Sequence, residues 1–270
     1  MEWTPEAEAA LKRVPFFVRK RVRTRVEKEA QDAGKKRVDL ADVKATQSRY
    51  LAGMQDEIKG YQIDTCFGPS GCPNRAVISD ALLARVEAVL KGADLLSFLK
   101  SRVKGDLKFH HEFRATLADC PNACSQPQIK DIGIIGAAVP ETTNEACTEC
   151  GACTDACGEN AITLTAAGTP PRMETGRCIN CGECIRVCPT GSIAEGWRGF
   201  RVQIGGRLGR HPRLAWELPG IFTEDQVVEI VKACLDLYKV RSRNGERFAH
   251  LFQESDFENF SRRFCGTDHG

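Results

Sequence analysis

Two close pairs of cysteines constrain the fold of this chain more than any other feature. The pairs are Cys66-x5-Cys72 and Cys120-x3-Cys124. Four thiols on two short loops suit a [4Fe-4S] cube, which takes one thiolate on each of its four irons. Inert buried thiols are a weaker interpretation, and zinc is disfavoured because its cysteine pairs usually have spacers of two to four residues. We therefore expect one cluster on these four residues, called here the paired-loop cysteines.

Eight further cysteines form two identical runs of the pattern C-x2-C-x2-C-x3-C. This spacing is typical of bacterial ferredoxins with two clusters, in which the fourth cysteine of each run ligates the other cluster. The expected ligands are therefore a first ferredoxin set, Cys147, Cys150, Cys153 and Cys188, and a second ferredoxin set, Cys157, Cys178, Cys181 and Cys184. Gly158 stands where the motif usually has proline, whereas Pro189 follows the second run. Structural zinc is again the weaker alternative, and we expect three [4Fe-4S] clusters in all.

The motif CPNAC at Cys120, followed by DIGIIG at residues 131–136, resembles the sirohaem and [4Fe-4S] half-domain of sulfite and nitrite reductases. The resemblance covers about residues 60–137 and, more weakly, 197–262. It implies that Cys124 bridges the cluster to a sirohaem iron, while Cys66, Cys72 and Cys120 are the other ligands. The insertion of two ferredoxin motifs resembles dissimilatory sulfite reductase subunits and, more closely, the C subunit of anaerobic sulfite reductase.

The resemblance also implies residues for the substrate. Sulfite reductases have a Lys-x-Lys pair on the strand before CPNAC, and the aligned positions here are Glu112 and Arg114. Arg114 would bind a small oxyanion, sulfite or nitrite, through its bidentate guanidinium. Glu112 replaces a cation with an anion, which leaves the substrate open or indicates a shifted alignment that brings Lys104 or Lys108 to the site. His110 is a candidate for proton delivery.

Several polar residues are candidate contacts to sirohaem, a macrocycle rich in carboxylates. They are Asn122, Cys124, Gln126, Gln128, Arg207 and Arg210. The last two lie in a stretch with three glycines, at residues 205–210. Glycine allows the backbone to approach a ligand closely, and arginine pairs well with carboxylates. An ordinary glycine turn with solvated arginines is an equally good interpretation.

Residues 1–50 are expected to form a helical module. Thr4 can cap a helix that begins at Pro5, a second helix should span residues 16–32, and a third should start near residue 40. The stretch resembles the small C-terminal domain of light-independent protochlorophyllide reductase, a match that includes no ligand residues. Five basic residues on the second helix favour a salt-bridged surface over a docking face for an acidic electron donor, a clamp on tetrapyrrole carboxylates, or nucleic acid binding. These residues are Arg19, Lys20, Arg21, Arg23 and Arg25.

The resemblance implies an α+β fold: a sirohaem half-domain of mixed sheet and helices, with an inserted ferredoxin domain. The expected boundaries are 51–139 and 197–270 for the two parts of the sirohaem domain, and 140–196 for the insertion. Apolar periodicity predicts a helix over 74–91 and strands over 111–117, 131–136 and 200–204. Thr223 and Gln226 form a capping box for a helix to residue 238, with Cys234 in its core face and Cys265 exposed.

Composition excludes some classes of function. A formal net charge of +2 gives no general attraction to nucleic acid or membranes. No apolar run approaches the roughly 18–20 residues of a membrane-spanning helix, and the N-terminus is unlike a signal peptide. Cysteine spacings that suit metal ligands predict a cytoplasmic protein of an oxygen-poor cell.

The motifs together predict an iron–sulfur and sirohaem oxidoreductase that reduces a small oxyanion with electrons from the ferredoxin clusters and an electron-donor protein. The main alternative is a non-catalytic electron-transfer subunit of a larger redox complex, which Glu112 favours. A third hypothesis is an assembly partner that docks through the basic helix. Larger relatives contain two sirohaem-type halves and this chain has one, so a homodimer that completes the cavity is a further hypothesis.

Overall fold

A computed structural model describes residues 1–265, except for the side chains of residues 51, 52, 54–56 and 69. The described chain divides into two compact units. The N-terminal unit comprises Met1–Ile58 with Asp106–Lys108, and the larger unit comprises the described residues from Lys59 to Gly105 and from Phe109 onward.

Three helices and a pair of short strands form the N-terminal unit. They are β1 (Glu2–Trp3), α1 (Pro5–Lys12), α2 (Phe16–Asp32), β2 (Arg37–Val38) and α3 (Leu40–Asp56), and β1 pairs with β2 in parallel. As predicted, Thr4 caps α1, because its Oγ1 accepts a hydrogen bond from the Ala7 amide at 3.3 Å. Since α3 continues to Asp56, this unit extends to Ile58 and does not end at residue 50.

The basic residues of α2 are partly engaged within the N-terminal unit. Arg23 forms ion pairs with Glu8 at 3.0 Å and Glu27 at 3.3 Å, and Arg25 pairs with Glu29 at 3.2 Å. These contacts agree with the salt-bridged interpretation of the charge run. Exposed pairs of this kind each stabilise a fold by only about 0.2–1 kcal/mol.

A mixed sheet organises the larger unit. In chain order its strands are β3 (Tyr61–Thr65), β4 (Phe113–Ala118), β5 (Ile132–Thr142), β6 (Ile162–Thr163), β7 (Arg172–Met173), β8 (Ile193–Ile204) and β9 (Trp216–Glu217). The five-stranded sheet has the order β3-β4-β5-β8-β9, while β6 and β7 pair separately. Strands β3, β4 and β5 are parallel, and β8 and β9 are antiparallel to their neighbours. This combination of sheet and helices confirms the α+β class.

Seven helices of the larger unit follow or separate these strands. They are α4 (Asp80–Gly92), α5 (Leu95–Arg102), α6 (Ala152–Ala156), α7 (Glu183–Val187), α8 (Glu224–Arg241), α9 (Phe248–Leu251) and α10 (Glu254–Arg263). The predicted capping box begins α8: Gln226 N donates to Thr223 Oγ1 at 3.3 Å, and Thr223 N donates to the Gln226 side chain at 2.8 Å. Cys234 is fully buried and Cys265 is exposed, as predicted. Within residues 1–265, no helix combines the length and apolarity needed to cross a membrane.

The helix predicted over 74–91 begins later than expected, at Asp80. The preceding residues form a loop, in which the amides of Ala76 and Val77 both donate to the Asp119 carbonyl, at 2.9 and 3.1 Å. Ile78 lies in this loop and is 58% exposed. The apolar periodicity was therefore misleading, because Val77 is buried by a tertiary contact and not by a helix face.

The two ferredoxin runs lie between the longest strands of the sheet. β5 pairs with β8 from Ile132 opposite Ile204 to Thr142 opposite Ile193, with an irregularity between Val139 and Pro140. The expected insertion boundaries at 139/140 and 196/197 fall inside these strands. The inserted segment is therefore the far end of a continuous two-stranded ribbon that begins in the central sheet.

Gly136 of β5 provides a test of how closely the loop before Cys120 packs on the sheet. A Cβ atom there would overlap Val77 and lie 2.6 Å from the Asp119 carbonyl oxygen. We expect Gly136→Ala to lower the free energy of unfolding by about 1–3 kcal/mol, because backbone must move to accommodate the methyl group. Gly92→Ala is the matched control, since nothing lies within 4 Å of its Cβ position. Chemical denaturation of both variants measures the effect, and equal stabilities would contradict the packing described.

Candidate functional site

The paired-loop cysteines meet because β3 and β4 are parallel neighbours. Thr65 pairs with Leu117, so the loops that begin after each strand leave the same edge of the sheet. The Cys66 amide donates to the Leu117 carbonyl at 3.1 Å. Burial raises the pKa of the Cys120 thiol, and charge on the nearby Cys66, Cys124 and Cys72 sulfurs raises it further. The parallel strands thus bring the two cysteine loops to the same edge of the sheet, and a cluster shared by the four thiols stays a prediction.

The Cys66 sulfur already has the donors that a thiolate ligand needs. It accepts hydrogen bonds from the amides of Gly68 and Asp119, each at 3.3 Å. Cys124, by contrast, is exposed. An exposed fourth sulfur is compatible with the bridging role that the resemblance implies for Cys124.

Asp119 is a buried residue of this site that the sequence analysis missed. Its carboxyl is 1% exposed and accepts a hydrogen bond from Ser79 Oγ at 2.5 Å. Burial raises the pKa of this carboxyl, while the bond from Ser79 lowers it. A side chain at Gly68 would overlap the Asp119 carboxylate, so this glycine permits the first loop to lie against the second.

The first ferredoxin set surrounds one small cavity. Cys147, Cys150, Cys153 and Cys188 all line it. The Cys147 sulfur accepts from the Glu149 amide at 3.4 Å, and the Cys188 sulfur accepts from the Ile193 amide at 3.4 Å. Burial raises the pKa of Cys188, but hydrogen bonds from Ser192, Ile193 and Thr190 outweigh burial and lower it to about 6. Such donors stabilise a sulfur that binds iron as a thiolate.

The second ferredoxin set surrounds a larger cavity of about 240 Å³. Its four members, Cys157, Cys178, Cys181 and Cys184, line this cavity together with Cys120 and Asn122. Burial raises the pKa of Cys184 to about 12, and charge on the other three sulfurs adds to the rise. The two cavities therefore group Cys157 with the second run and Cys188 with the first, and cluster binding by these groups stays a prediction.

The second ferredoxin set also contacts the paired loops directly. Ala138 of β5 donates its amide to the Asn180 carbonyl at 2.8 Å. Ile185 packs against a buried cluster of Ala76, Cys120 and Ala138. The side chain of Arg186 donates to the Arg75 carbonyl at 3.2 Å. These contacts hold the second set beside Cys120.

The donor chemistry fits iron–sulfur clusters. All fourteen cysteines lie in the described part of the chain and are free thiols. In residues 1–265, no three His, Cys, Asp or Glu side chains converge on the position of a single metal ion. The two ferredoxin sets instead each place four sulfurs around a cavity, which is the arrangement that a cube with an iron at each corner requires.

Glu112 has an internal structural role that the sequence analysis did not anticipate. It is 2% exposed, lies just before β4, and its carboxylate accepts from the amides of Lys59 at 2.9 Å and Gly60 at 3.0 Å. The Gln62 side chain donates to the other oxygen at 2.7 Å. The carboxylate therefore joins the start of β3 to β4, and the interpretation of Glu112 as a substrate-facing residue is corrected.

The other predicted catalytic residues lie in different places. His110 and His111 form a turn before β4, with ring centroids 4.2 Å apart. Lys108 belongs to the N-terminal unit. Arg114 lies in β4, half-buried, and its Nε is a buried donor without an acceptor. Only Arg114 therefore combines a place in the sheet with an available buried cationic donor.

The glycines at residues 205–206 allow a close approach, as predicted, but the group that approaches is the protein's own backbone and not a ligand. A side chain at Gly206 would overlap the Gln128 carbonyl. Arg207 donates to the carbonyls of His211 at 2.9 Å and Ala249 at 2.6 Å. The turn thus positions the segment with Gln126 and Gln128, and Arg207 binds carbonyls, which corrects its assignment as a dedicated sirohaem contact. Arg210 is exposed.

Asp131 and Arg247 are candidate site residues that the sequence analysis missed. Asp131 is fully buried and accepts from the amides of Arg114 at 2.9 Å and Ala249 at 3.1 Å. Burial raises the pKa of Asp131, and the positive charge of Arg247 lowers it. Nε and Nη2 of Arg247 are buried donors without acceptors. Only the fold brings residues 114, 131 and 247 together, so sequence spacing contained no signal for this group.

Two protein-family models match the chain. Residues 70–268 match the model described as "Nitrite and sulphite reductase 4Fe-4S domain". This chain belongs to that family. Residues 3–46 match a second model, "Proto-chlorophyllide reductase 57 kD subunit". Both resemblances inferred from the motifs are thereby confirmed.

Individual relatives show how much of each protein the chain covers. It is 30% identical over 137 residues to the coenzyme F420-dependent sulfite reductase of Methanocaldococcus jannaschii, covering 51% of this chain and 22% of that protein. It is 26% identical over 237 residues to the C subunit of the anaerobic sulfite reductase of Salmonella typhimurium, covering 84% of this chain and 63% of that protein. The chain therefore spans less than two thirds of either relative.

A solved structure supports the fold. The crystal structure of dissimilatory sulfite reductase I aligns with a TM-score of 0.51 at 15% identity, covering 76% of this chain and 52% of that one. The N-terminal residues are 57% identical over 41 residues to the B subunit of the light-independent protochlorophyllide reductase of Prochlorococcus marinus, covering 15% of this chain and 8% of that protein.

Substitutions at Glu112 distinguish its structural role from the substrate-binding role that alignment with sulfite reductases implies. Glu112→Gln keeps an oxygen for the amides of Lys59 and Gly60, whereas Glu112→Lys leaves these donors unpaired beside a buried cation. We expect a small loss of stability for the glutamine variant and a loss of about 3 kcal/mol or more for the lysine variant. Denaturation curves measure both. A stable lysine variant with tighter oxyanion binding would instead support the aligned substrate role.

Proposed function

We propose that this chain is the iron–sulfur and sirohaem-binding part of an oxidoreductase that reduces sulfite or nitrite. Electrons from a donor protein would enter at the first ferredoxin set and pass through the second set to the paired-loop cysteines. The observation that supports this order is the cavity lined by the second set together with Cys120 and Asn122. Family membership supports the same class of reaction.

The chain's own residues would hold three [4Fe-4S] clusters and one sirohaem. The three cysteine sets supply four sulfurs each, and the exposed Cys124 is available to bridge to the sirohaem iron. Clusters of this kind accept and release single electrons, and sirohaem supplies the iron at which the oxyanion is reduced. The protein supplies orientation, positive charge and protons.

Arg114 and Arg247 are the residues that we infer bind the anion. Asp131 is close to both, because it accepts from the backbone amides of Arg114 and of Ala249, two residues after Arg247, and the charge of Arg247 lowers its pKa. Each arginine has at least one buried N–H group without an acceptor. A buried donor without a partner costs about 1–3 kcal/mol. An oxyanion or a carboxylate of the macrocycle would satisfy these donors through charge-assisted hydrogen bonds.

A visible spectrum of anaerobically purified full-length protein tests the proposed function. We expect sirohaem bands, identification of the extracted tetrapyrrole as sirohaem, and sulfite or nitrite consumption driven by reduced methyl viologen. Iron–sulfur absorption alone, without a tetrapyrrole, would contradict the catalytic proposal. It would support a non-catalytic electron-transfer subunit, which the internal engagement of Glu112 and Arg207 favours as the second candidate.

Arg247→Gln and Arg114→Gln test the anion site. If the arginines bind substrate, each variant should raise the KM for the consumed oxyanion about 10–100-fold, since a hydrogen bond to a charged group contributes about 1.5–3 kcal/mol. If they bind a carboxylate of the macrocycle, each variant should instead reduce the sirohaem content. Arg243→Gln is the control, because Arg243 is exposed and lies on the same loop. Unchanged KM and sirohaem content in both variants would exclude the anion-binding role.

The proposed reaction implies partner proteins. Since the chain spans only part of its relatives, we infer that an electron-donor protein or further redox subunits complete the system. A homodimer that closes the sirohaem cavity is a second arrangement. Sedimentation of the sirohaem-containing protein distinguishes them, because a monomer with bound sirohaem would exclude the homodimer.

A further inference from the structure

The two ferredoxin runs differ at one position close to a cluster sulfur. The runs are internal repeats, so the residues after their last cysteines can be compared: Cys157 is followed by GENAI and Cys188 by PTGSI. Ala161 of the first run therefore corresponds to Ser192 of the second. Only the second run has a hydroxyl at this position.

The Ser192 hydroxyl lies against the Cys188 sulfur. The distance from Ser192 Oγ to Cys188 Sγ is 3.4 Å, and Thr190 Oγ1 donates to Ser192 Oγ at 3.2 Å. Ser192 is only 1% exposed, so water does not compete for this contact. A sulfur that binds iron has no proton, and the Ser192 hydroxyl must then be the donor. Thr190 orients it by occupying an acceptor site on its oxygen.

The equivalent sulfur of the second ferredoxin set has a different environment. Cys157 accepts a hydrogen bond from the Ala161 amide at 3.4 Å, and the alanine side chain has no hydroxyl to add a second. The Cys188 sulfur also has one backbone donor, which is one residue further along the run, the Ile193 amide at 3.4 Å, and it has Ser192 in addition. The first set therefore has an extra side-chain donor at its exchanged cysteine.

The first ferredoxin set is also more exposed to solvent than the second set. Cys150 of the first set is exposed, whereas no cysteine of the second set, all of which lie in the described residues, is exposed. Hydrogen bonds to cluster sulfurs and access to solvent both favour the extra negative charge of a reduced cluster. Burial disfavours that charge.

We propose that Ser192, oriented by Thr190, raises the reduction potential of the cluster on the first ferredoxin set above that of the cluster on the second set. Ser192 is thus a positioning residue for electron transfer, and the proposal rests on the proposed function because it requires both clusters. When one electron passes inward, the first cluster is oxidised from the 1+ to the 2+ state and the second is reduced from 2+ to 1+. No bond forms and no proton moves. With the higher potential on the first set, this inward transfer would be uphill, so at equilibrium the electron would stay on the first set until the second set has passed on its own electron.

A redox titration followed by electron paramagnetic resonance tests this inference on full-length protein purified anaerobically. The unmodified protein should show two ferredoxin-type clusters with different potentials. Ser192→Ala, which reproduces the residue of the first run, should lower the higher potential alone. A tenfold change in the one-electron equilibrium constant corresponds to about 59 mV, and we expect a shift of this order. Thr190→Val should produce a smaller shift in the same direction.

Two further variants keep the result interpretable. Ser192→Thr retains a hydroxyl and should restore the potential towards that of the unmodified protein. Thr165→Val removes a hydroxyl that donates to the carbonyls of Thr169 and Pro170, and it should change neither potential. If Ser192→Ala loses iron, the Thr190→Val variant is measured in its place: a lowered higher potential supports the proposal.

The proposal is overturned if Ser192→Ala retains its iron and leaves the higher potential unchanged, or if it shifts both potentials equally. If Ser192→Ala loses its cluster, the proposal is overturned when Thr190→Val leaves the higher potential unchanged. Failure of the proposed function gives a different result, because the unmodified protein would then lack the ferredoxin-type signals or the sirohaem bands.

Discussion

The parallel pairing of β3 and β4 is the constraint on which the rest of the site depends. Parallel neighbours deliver their following loops to the same sheet edge, and here those loops contain Cys66 and Cys120. The Asp119 carbonyl strengthens the arrangement by accepting two amides from the loop after Cys72. Backbone hydrogen bonds thus bring together two cysteine pairs that are distant in sequence, before any cluster contributes stability.

The long ribbon of β5 and β8 places the ferredoxin segment relative to this site. Because the ribbon extends from the central sheet without a flexible linker, the second ferredoxin set lies against Cys120 through the contacts of Ala138 and Ile185. Electron transfer requires short and reproducible distances between carriers. A segment built on continuous strands satisfies that requirement better than a domain on a mobile tether.

Two buried carboxylates fix the backbone near Arg114 and Arg247. Glu112 and Asp131 bind backbone amides, and in doing so they fix the starts of β3 and β4 and the position of Ala249. Glu112 stands where sulfite reductases have a lysine. Its negative charge does not prevent an anion from binding nearby, because the carboxylate accepts hydrogen bonds from backbone amides. The available cationic donors come from Arg114 and Arg247.

The sequence by itself determined the family and the helical N-terminal module and predicted the cysteine sets, because cluster ligation and helix caps depend on short, local spacings. Tertiary structure alone decided which polar side chains keep donors that the protein itself does not use. Glu112 and Arg207 have suitable chemistry but bind the protein's own backbone, whereas Arg247 became a candidate only when Asp131 joined it to Arg114. A residue type indicates what a side chain can bind, but long-range hydrogen bonds determine whether its donors and acceptors remain available.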